Sequence, residues 1–190
     1  YKQVIPCIID LVGIGCSELR LNFARKFIAE CHPTVIKGNV SEIKALLEGS
    51  SSQGVDASEQ DKKLGKEEMA KLVQVAAVQY DCLVLMTGKV DVVATASKVY
   101  FIANGHSMLA SITGTGCILN VLCAVFMSTG EVLKGVLLAC ILLCVSGEVA
   151  AQQSEGPASF RVKLFDSLYN MTDEELLARA NITEVQDEKI

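Results

Sequence analysis

Short apolar runs alternate along the first half of the chain with stretches whose apolar residues fall at helical spacing. Val4 to Ile9 is a continuous apolar run ending at Asp10, short enough for a strand buried on both faces. A glycine-punctuated loop follows through Gly15, and Ser17 is placed to cap an amphipathic helix running to about Cys31. His32-Pro33 breaks that helix, Thr34 to Lys37 predicts a second strand, and Gly38 to Glu42 leads into a helix through Leu47. Glu48 to Gly65 is a polar connector expected on the surface. From Lys66 to Gln79, the residues Met69, Leu72, Val73, Ala76 and Ala77 mark one helical face, and the run Cys82 to Met86 predicts a buried strand closed by Thr87-Gly88. Val90 to Thr95 and Val99 to Ile102 read as a hairpin at the sheet edge, and Asn104-Gly105-His106 as a further turn.

The second half is helical: Cys117 to about Ser128, Glu131 to about Gln153, Ser159 to Asn170, and a final short helix announced by Thr172 followed by Asp173-Glu174-Glu175. Strands alternating with helices, then helices able to cover a sheet, predict a three-layer α/β/α architecture with a mostly parallel central sheet. In such sheets ligands bind at the carboxyl ends of strands. Asp10, Lys37 to Asn39 and Thr87-Gly88 all follow predicted strands, so they are expected to share a rim with the turn Thr113-Gly114-Thr115-Gly116-Cys117. That turn opens directly into an apolar helix, whose first N–H groups and positive dipole end would face an anion beside Cys117. Taken alone, a Gly-x-Gly turn more often marks a plain loop-to-helix connection.

Composition narrows the choice. With 190 residues, 51% of them apolar, the chain has material for one domain with a core. A net charge of -5 argues against a broad nucleic-acid interface. None of the eight cysteines forms a Cys-x-x-Cys pair and only two histidines accompany them, so structural zinc is not expected. Most of these cysteines lie in apolar runs and read as small core residues suited to a reducing cytoplasm. Gly135 to Ser146, the longest apolar stretch, is shorter than the roughly 20 residues of a bilayer span, so no membrane segment is expected. The opening Tyr1-Lys2-Gln3 lacks a methionine or lead-in, which predicts part of a larger protein.

Read in order, Asp10-Leu11-Val12-Gly13-Ile14-Gly15, Lys37-Gly38-Asn39-Val40-Ser41-Glu42-Ile43, Thr87-Gly88-Lys89-Val90-Asp91, Asn104-Gly105-His106, Thr113 to Cys117, and Gly156-Pro157-Ala158-Ser159-Phe160 resemble the ribokinase-like small-molecule kinases, and within them the hydroxyethylthiazole kinase branch. Cys117 distinguishes that branch, because most ribokinase-like enzymes carry an aspartate there. The resemblance implies a single ribokinase-like kinase domain over 1–190, with the family's N-terminal portion missing. It implies ATP-dependent phosphorylation of 5-(2-hydroxyethyl)-4-methylthiazole in thiamine biosynthesis or salvage, in the cytoplasm, by a homotrimer without nucleic-acid or membrane partners. Cys117 would be the catalytic base; Lys37, Thr87 and Asn39 would contact ATP; Gly114, Thr115 and Gly116 would form an anion hole bordering the substrate. Glu42 and Asp10 would hold Mg²⁺ through water, since hard oxygen ligands suit that ion.

Plainer readings stand beside these. Asp10 could cap its own loop, and Asn39-x-x-Glu42 has the spacing of a capping box. His106 reads as a turn residue, Cys140 and Cys144 as core, and Lys62-Lys63 and Glu67-Glu68 as solvated surface. Leu11 and Lys37 stand where the family commonly has proline and arginine, and an ammonium does not reproduce a guanidinium fork. Two other functions stay open: a noncatalytic thiazole- or nucleotide-binding relative, and a kinase of the same fold for another vitamin precursor.

Overall fold

Residues apolar at successive positions supply strands, and those apolar at helical spacing supply the helices packed beside them. A computed structural model describes residues 5–48 and 64–185. Val4, most of the expected polar connector and Lys62-Lys63 lie outside the described residues. The chain forms two compact units, Tyr1–Phe101 with Glu184–Ile190, and Ile102–Thr183.

The first unit carries strands β1 (Ile8–Asp10), β2 (Val35–Asn39), β3 (Leu83–Thr87), β4 (Asp91–Ala94) and β5 (Val99–Ile102), whose last residue crosses the division. Strand order in the sheet is β1-β2-β3-β4-β5-β6, where β6 is Ile182–Val185. The sheet is mixed: β1, β2 and β3 run parallel, and β4 is antiparallel to β3. The expected hairpin forms, closed by the Thr95 N–H on the Lys98 carbonyl. It is not at the edge, however, because β6 lies outside β5. Ile182 and Glu184 are too exposed to write the apolar run that marks the inner strands.

Helices α1 (Glu18–Cys31), α2 (Val40–Glu48) and α3 (Lys66–Tyr80) belong to the same unit. The Ser17 hydroxyl caps α1 by accepting the Arg20 N–H, as its position predicts. Leu21, Ala24 and Ile28 of α1, Ile43 and Leu46 of α2, and Val73, Ala76 and Ala77 of α3 join Ile36, Val84 and Met86 of the sheet in one buried cluster. The register pairs Asn39 with Thr87, so β2 and β3 end level, and Asp10 with Lys37, so β1 ends two residues short of them.

The second unit is helical: α4 (Thr115–Met127), α5 (Val132–Gln152), α6 (Pro157–Asn170) and α7 (Asp173–Arg179), preceded by a 3-10 turn over Ser107–Ser111. α5 packs against both α4 and α6. It is the one helix among the described residues long and apolar enough to cross a membrane, and 56% of its most apolar window is buried, as suits a core helix. Thr172 caps α7 by accepting the Glu175 N–H. No disulfide joins any of the eight cysteines. Cys123, Cys140 and Cys144 are buried, in keeping with the core reading, whereas Cys16, Cys31 and Cys117 are exposed.

Candidate functional site

In the first unit the predicted residues at the ends of β1, β2 and β3 are held in adjoining groups of polar bonds. Lys37 is 4% exposed, and its ammonium lies 2.6 Å from Asp10 Oδ2. Asp10 Oδ1 accepts the Val12 N–H at 3.2 Å, which also makes it the loop cap that the plainer reading expects. Burying an ammonium is tolerable only beside such a partner.

Glu42 is 7% exposed, and both its oxygens are engaged. Oε1 accepts the Gly13 N–H at 2.9 Å and Oε2 accepts the Asn39 N–H at 2.8 Å. Asn39 Oδ1 in turn accepts the Glu42 N–H at 2.9 Å and the Ser41 hydroxyl at 2.8 Å. The reciprocal Asn39–Glu42 bonds are a capping box at the start of α2, with the carboxylate at the helix's positive end. Glu42 therefore ties the β1 loop to the end of β2. The Thr87 hydroxyl donates to the Gly38 carbonyl at 3.5 Å, and the following bend is fixed by the Gly88 N–H on Asp91 Oδ1 at 3.0 Å.

This donor set bears on Mg²⁺. Among the described residues no three His, Cys, Asp or Glu side chains gather as a ligand cluster. Each Glu42 oxygen already accepts an N–H and Asp10 faces Lys37, so the oxygens fit an ion held through water, which Mg²⁺ commonly retains.

Alongside β1, a groove of about 690 Å³ is lined by Ile9, Asp10, Val12, Leu19, Arg20 and Phe23, among others. Leu19 and Phe23 are 79% and 69% exposed, so α1 presents an apolar outer face as well as its buried one.

In the second unit the glycine turn has the predicted form. Gly114 has φ +102°, a left-handed conformation that side chains avoid, and open space surrounds the position a Cβ would take. Its carbonyl accepts the Ile118 N–H, the first bond of α4. The N–H groups from Gly114 to Cys117 precede any intrahelical donor and point from the helix N-terminus. The Thr115 hydroxyl donates to the Leu109 carbonyl at 3.1 Å, so this side chain anchors the turn while its backbone faces outward. Cys117 is exposed on the first turn of α4. His106 is also exposed, and its Nδ1 accepts the Met108 N–H, the turn role expected of it.

Asp10, Lys37, Asn39, Glu42 and Thr87 are thus brought together in one unit, and Gly114, Thr115, Gly116 and Cys117 in the other. The match to the Hydroxyethylthiazole kinase family runs over residues 1–174 and takes in both sets. The chain belongs to the hydroxyethylthiazole kinase family. Among its relatives in that kinase family, "Hydroxyethylthiazole kinase 2" of Clostridium botulinum (strain 657 / Type Ba4) is 41% identical over 185 residues, covering 96% of this chain and 69% of the relative. "Hydroxyethylthiazole kinase" of Methanosarcina acetivorans is 35% identical over 188 residues, with the same coverage. The structure of the hydroxyethylthiazole kinase protein from Pyrococcus horikoshii OT3 superimposes with a TM-score of 0.83 at 31% identity, covering 95% of this chain and 66% of that one. The α/β fold expected from the sequence is therefore the hydroxyethylthiazole kinase fold, and this chain spans about two thirds of the length of the relatives it matches.

Sequence reasoning missed two side chains. Asp91 reads only as part of a motif, yet it is buried and holds the bend after Thr87. Glu148 reads in the sequence only as the end of the apolar stretch, although a lone carboxylate within the apolar α5 is a readable signal, because a charge in such a place needs partners.

Proposed function

We propose that this chain carries the phosphoryl-transfer residues of a hydroxyethylthiazole kinase, which phosphorylates 5-(2-hydroxyethyl)-4-methylthiazole at the expense of ATP. The observation that carries the reading is the family match across both residue sets, joined to an outward-facing glycine turn with an exposed cysteine at the N-terminus of α4. The same unbroken match supports one kinase domain to which both units belong.

In the proposed reaction the substrate hydroxyl gives its proton to the Cys117 thiolate as its oxygen attacks the γ-phosphorus. The bond from that phosphorus to the bridging oxygen breaks, and ADP leaves with the electron pair. Backbone N–H groups from Gly114 to Cys117 stabilise charge on the transferring group, and the Gly114 conformation aims them. Thr115 contributes through its N–H and through the anchoring of its hydroxyl on Leu109. Lys37, Thr87 and Asn39 are proposed ATP contacts. For Lys37 the role is electrostatic, since its ammonium is held on Asp10. Glu42 and Asp10 would hold Mg²⁺ through water, and the ion would neutralise phosphate charge. A reduced Cys117 fits the cytoplasmic setting, and the homotrimer is part of the same proposal.

The test is ADP release with Mg-ATP, with and without the thiazole alcohol. It is run on this chain alone and joined to the part of a relative's chain that lies outside the match. Thiazole-dependent turnover should appear and fall on the order of 10²-fold in Cys117→Ala. A folded, completed protein that binds thiazole or nucleotide yet releases no thiazole-dependent ADP would mean a binding-only relative. Turnover on another vitamin precursor in preference would reassign the substrate.

A further inference from the structure

Glu148 sits in the apolar interior of α5, where it and Lys134 are the only charged residues. Its Oε1 accepts two hydrogen bonds, from the Gly105 N–H at 2.7 Å and from Asn104 Nδ2 at 3.1 Å. Asn104 is 6% exposed and fully engaged: Nδ2 also donates to the Arg179 carbonyl at 2.9 Å, and Oδ1 accepts the Asn181 N–H at 2.6 Å. One carboxylate thus fixes the bend at which the chain leaves β5. From that bend a short path leads to the glycine turn. The His106 carbonyl accepts the Leu109 N–H at 3.0 Å, starting the 3-10 turn, and the Leu109 carbonyl accepts the Thr115 hydroxyl at 3.1 Å.

The neighbour of Glu148 holds the same path by shape. A Cβ on Gly147 would lie 2.9 Å from Leu109 Cδ1, so the Leu109 side chain rests directly on the glycine of α5. Adjacent residues of one rigid helix therefore grip the two ends of the 104–109 segment, one by charge-assisted hydrogen bonds and one by close packing.

We propose that Glu148 is a positioning residue for the glycine turn, holding Asn104 and Gly105 so that the Leu109 carbonyl meets the Thr115 hydroxyl and sets the backbone of residues 114–117. The assignment deepens the phosphoryl-transfer reading of that turn and rests on it for its catalytic meaning. The mechanical link itself is read without substrate.

Hydrogen exchange on the full chain tests the link. Glu148→Ala should raise exchange in segments 104–111 and 118–121, the latter holding the first hydrogen-bonded amides of α4, by roughly tenfold, leaving segments 83–87 and 136–145 as in the parent. Glu148→Gln, whose amide oxygen can still accept both bonds, should restore parental exchange. Thr115→Val should raise exchange over 118–121 alone, and adding it to Glu148→Ala should add nothing there, because both changes break one path. Where Glu148→Ala unfolds, Glu148→Asp, shorter by one methylene, is held to the same outcomes. Exchange that rises over 104–106 but not 118–121, or effects of Glu148 and Thr115 that simply add, overturns the proposal. In a protein with established thiazole-dependent turnover, Glu148→Ala should lower kcat about tenfold while KM for ATP stays within about twofold, and Glu148→Gln should recover it. If the exchange pattern holds but no turnover is found, the kinase reading fails and the positioning link stands.

Discussion

The strand-end network of the first unit and the glycine turn of the second are built in opposite ways. Around Asp10, Lys37, Asn39 and Glu42 the carboxylate oxygens, the ammonium and the Asn39 amide oxygen all find partners within the chain, so the network holds the fold. At Gly114 to Cys117 the backbone donors face outward, and one side-chain bond from Thr115 holds the turn in place. A closed network resists change through stability. An open turn, on the proposed function, answers through turnover.

Substitutions should separate the two. The largest loss of stability is expected from Asp10→Ala, which leaves the Lys37 ammonium buried without its carboxylate and should cost about 3–5 kcal/mol in urea unfolding. Adding Lys37→Met should recover much of it. Glu42→Ala strips the acceptor from the Gly13 and Asn39 N–H groups and should cost about 2–4 kcal/mol. Gly114→Ala meets no neighbour, only an unfavourable φ, so it should cost about 1–2 kcal/mol while turnover falls far more steeply. Should Gly114→Ala prove as destabilising as Glu42→Ala, the contrast between closed network and open turn is lost.

The smallest effect concerns pH and the cysteines. Burial pushes the Cys82 thiol up to about 11, whereas Cys117 is exposed. The native state thus holds the Cys82 proton more tightly than the unfolded chain does. The stability this contributes is full below the ordinary thiol range of about 8.5 and is lost as pH rises toward the native value. Tyr80, also raised by burial, acts with the same sign at higher pH. Unfolding midpoints should therefore fall through that window, and Cys82→Ala should flatten the decline. At pH 8, iodoacetamide should label Cys117 well before Cys82.

Much of this was legible in the residues, but unevenly. Ser17, Thr172 and the glycine turn announce themselves because a cap is a local event, decided within one helical turn. The resemblance makes Glu42 a metal-water ligand and Asn39 an ATP contact, whereas their spacing reads as a capping box, and the bonds show the capping box. The Lys37–Asp10 pair joins residues 27 apart through a parallel register that only the assembled sheet creates. β6 escaped notice because its exposed residues lack the apolar run on which the inner strands were recognised. Glu148 was legible in principle, since a solitary carboxylate in an apolar helix asks for donors; which donors it found, Asn104 and Gly105, depended on a contact 43 residues or more away.

The strand β6 has a consequence for synthesis. The partner of β5 comes from residues 182–185, so the ribosome delivers it about 80 residues after Ile102 closes β5. Until then the far side of β5 is an open ladder, and a nascent chain that stalls before Asn181 offers that ladder to any neighbour in the same condition.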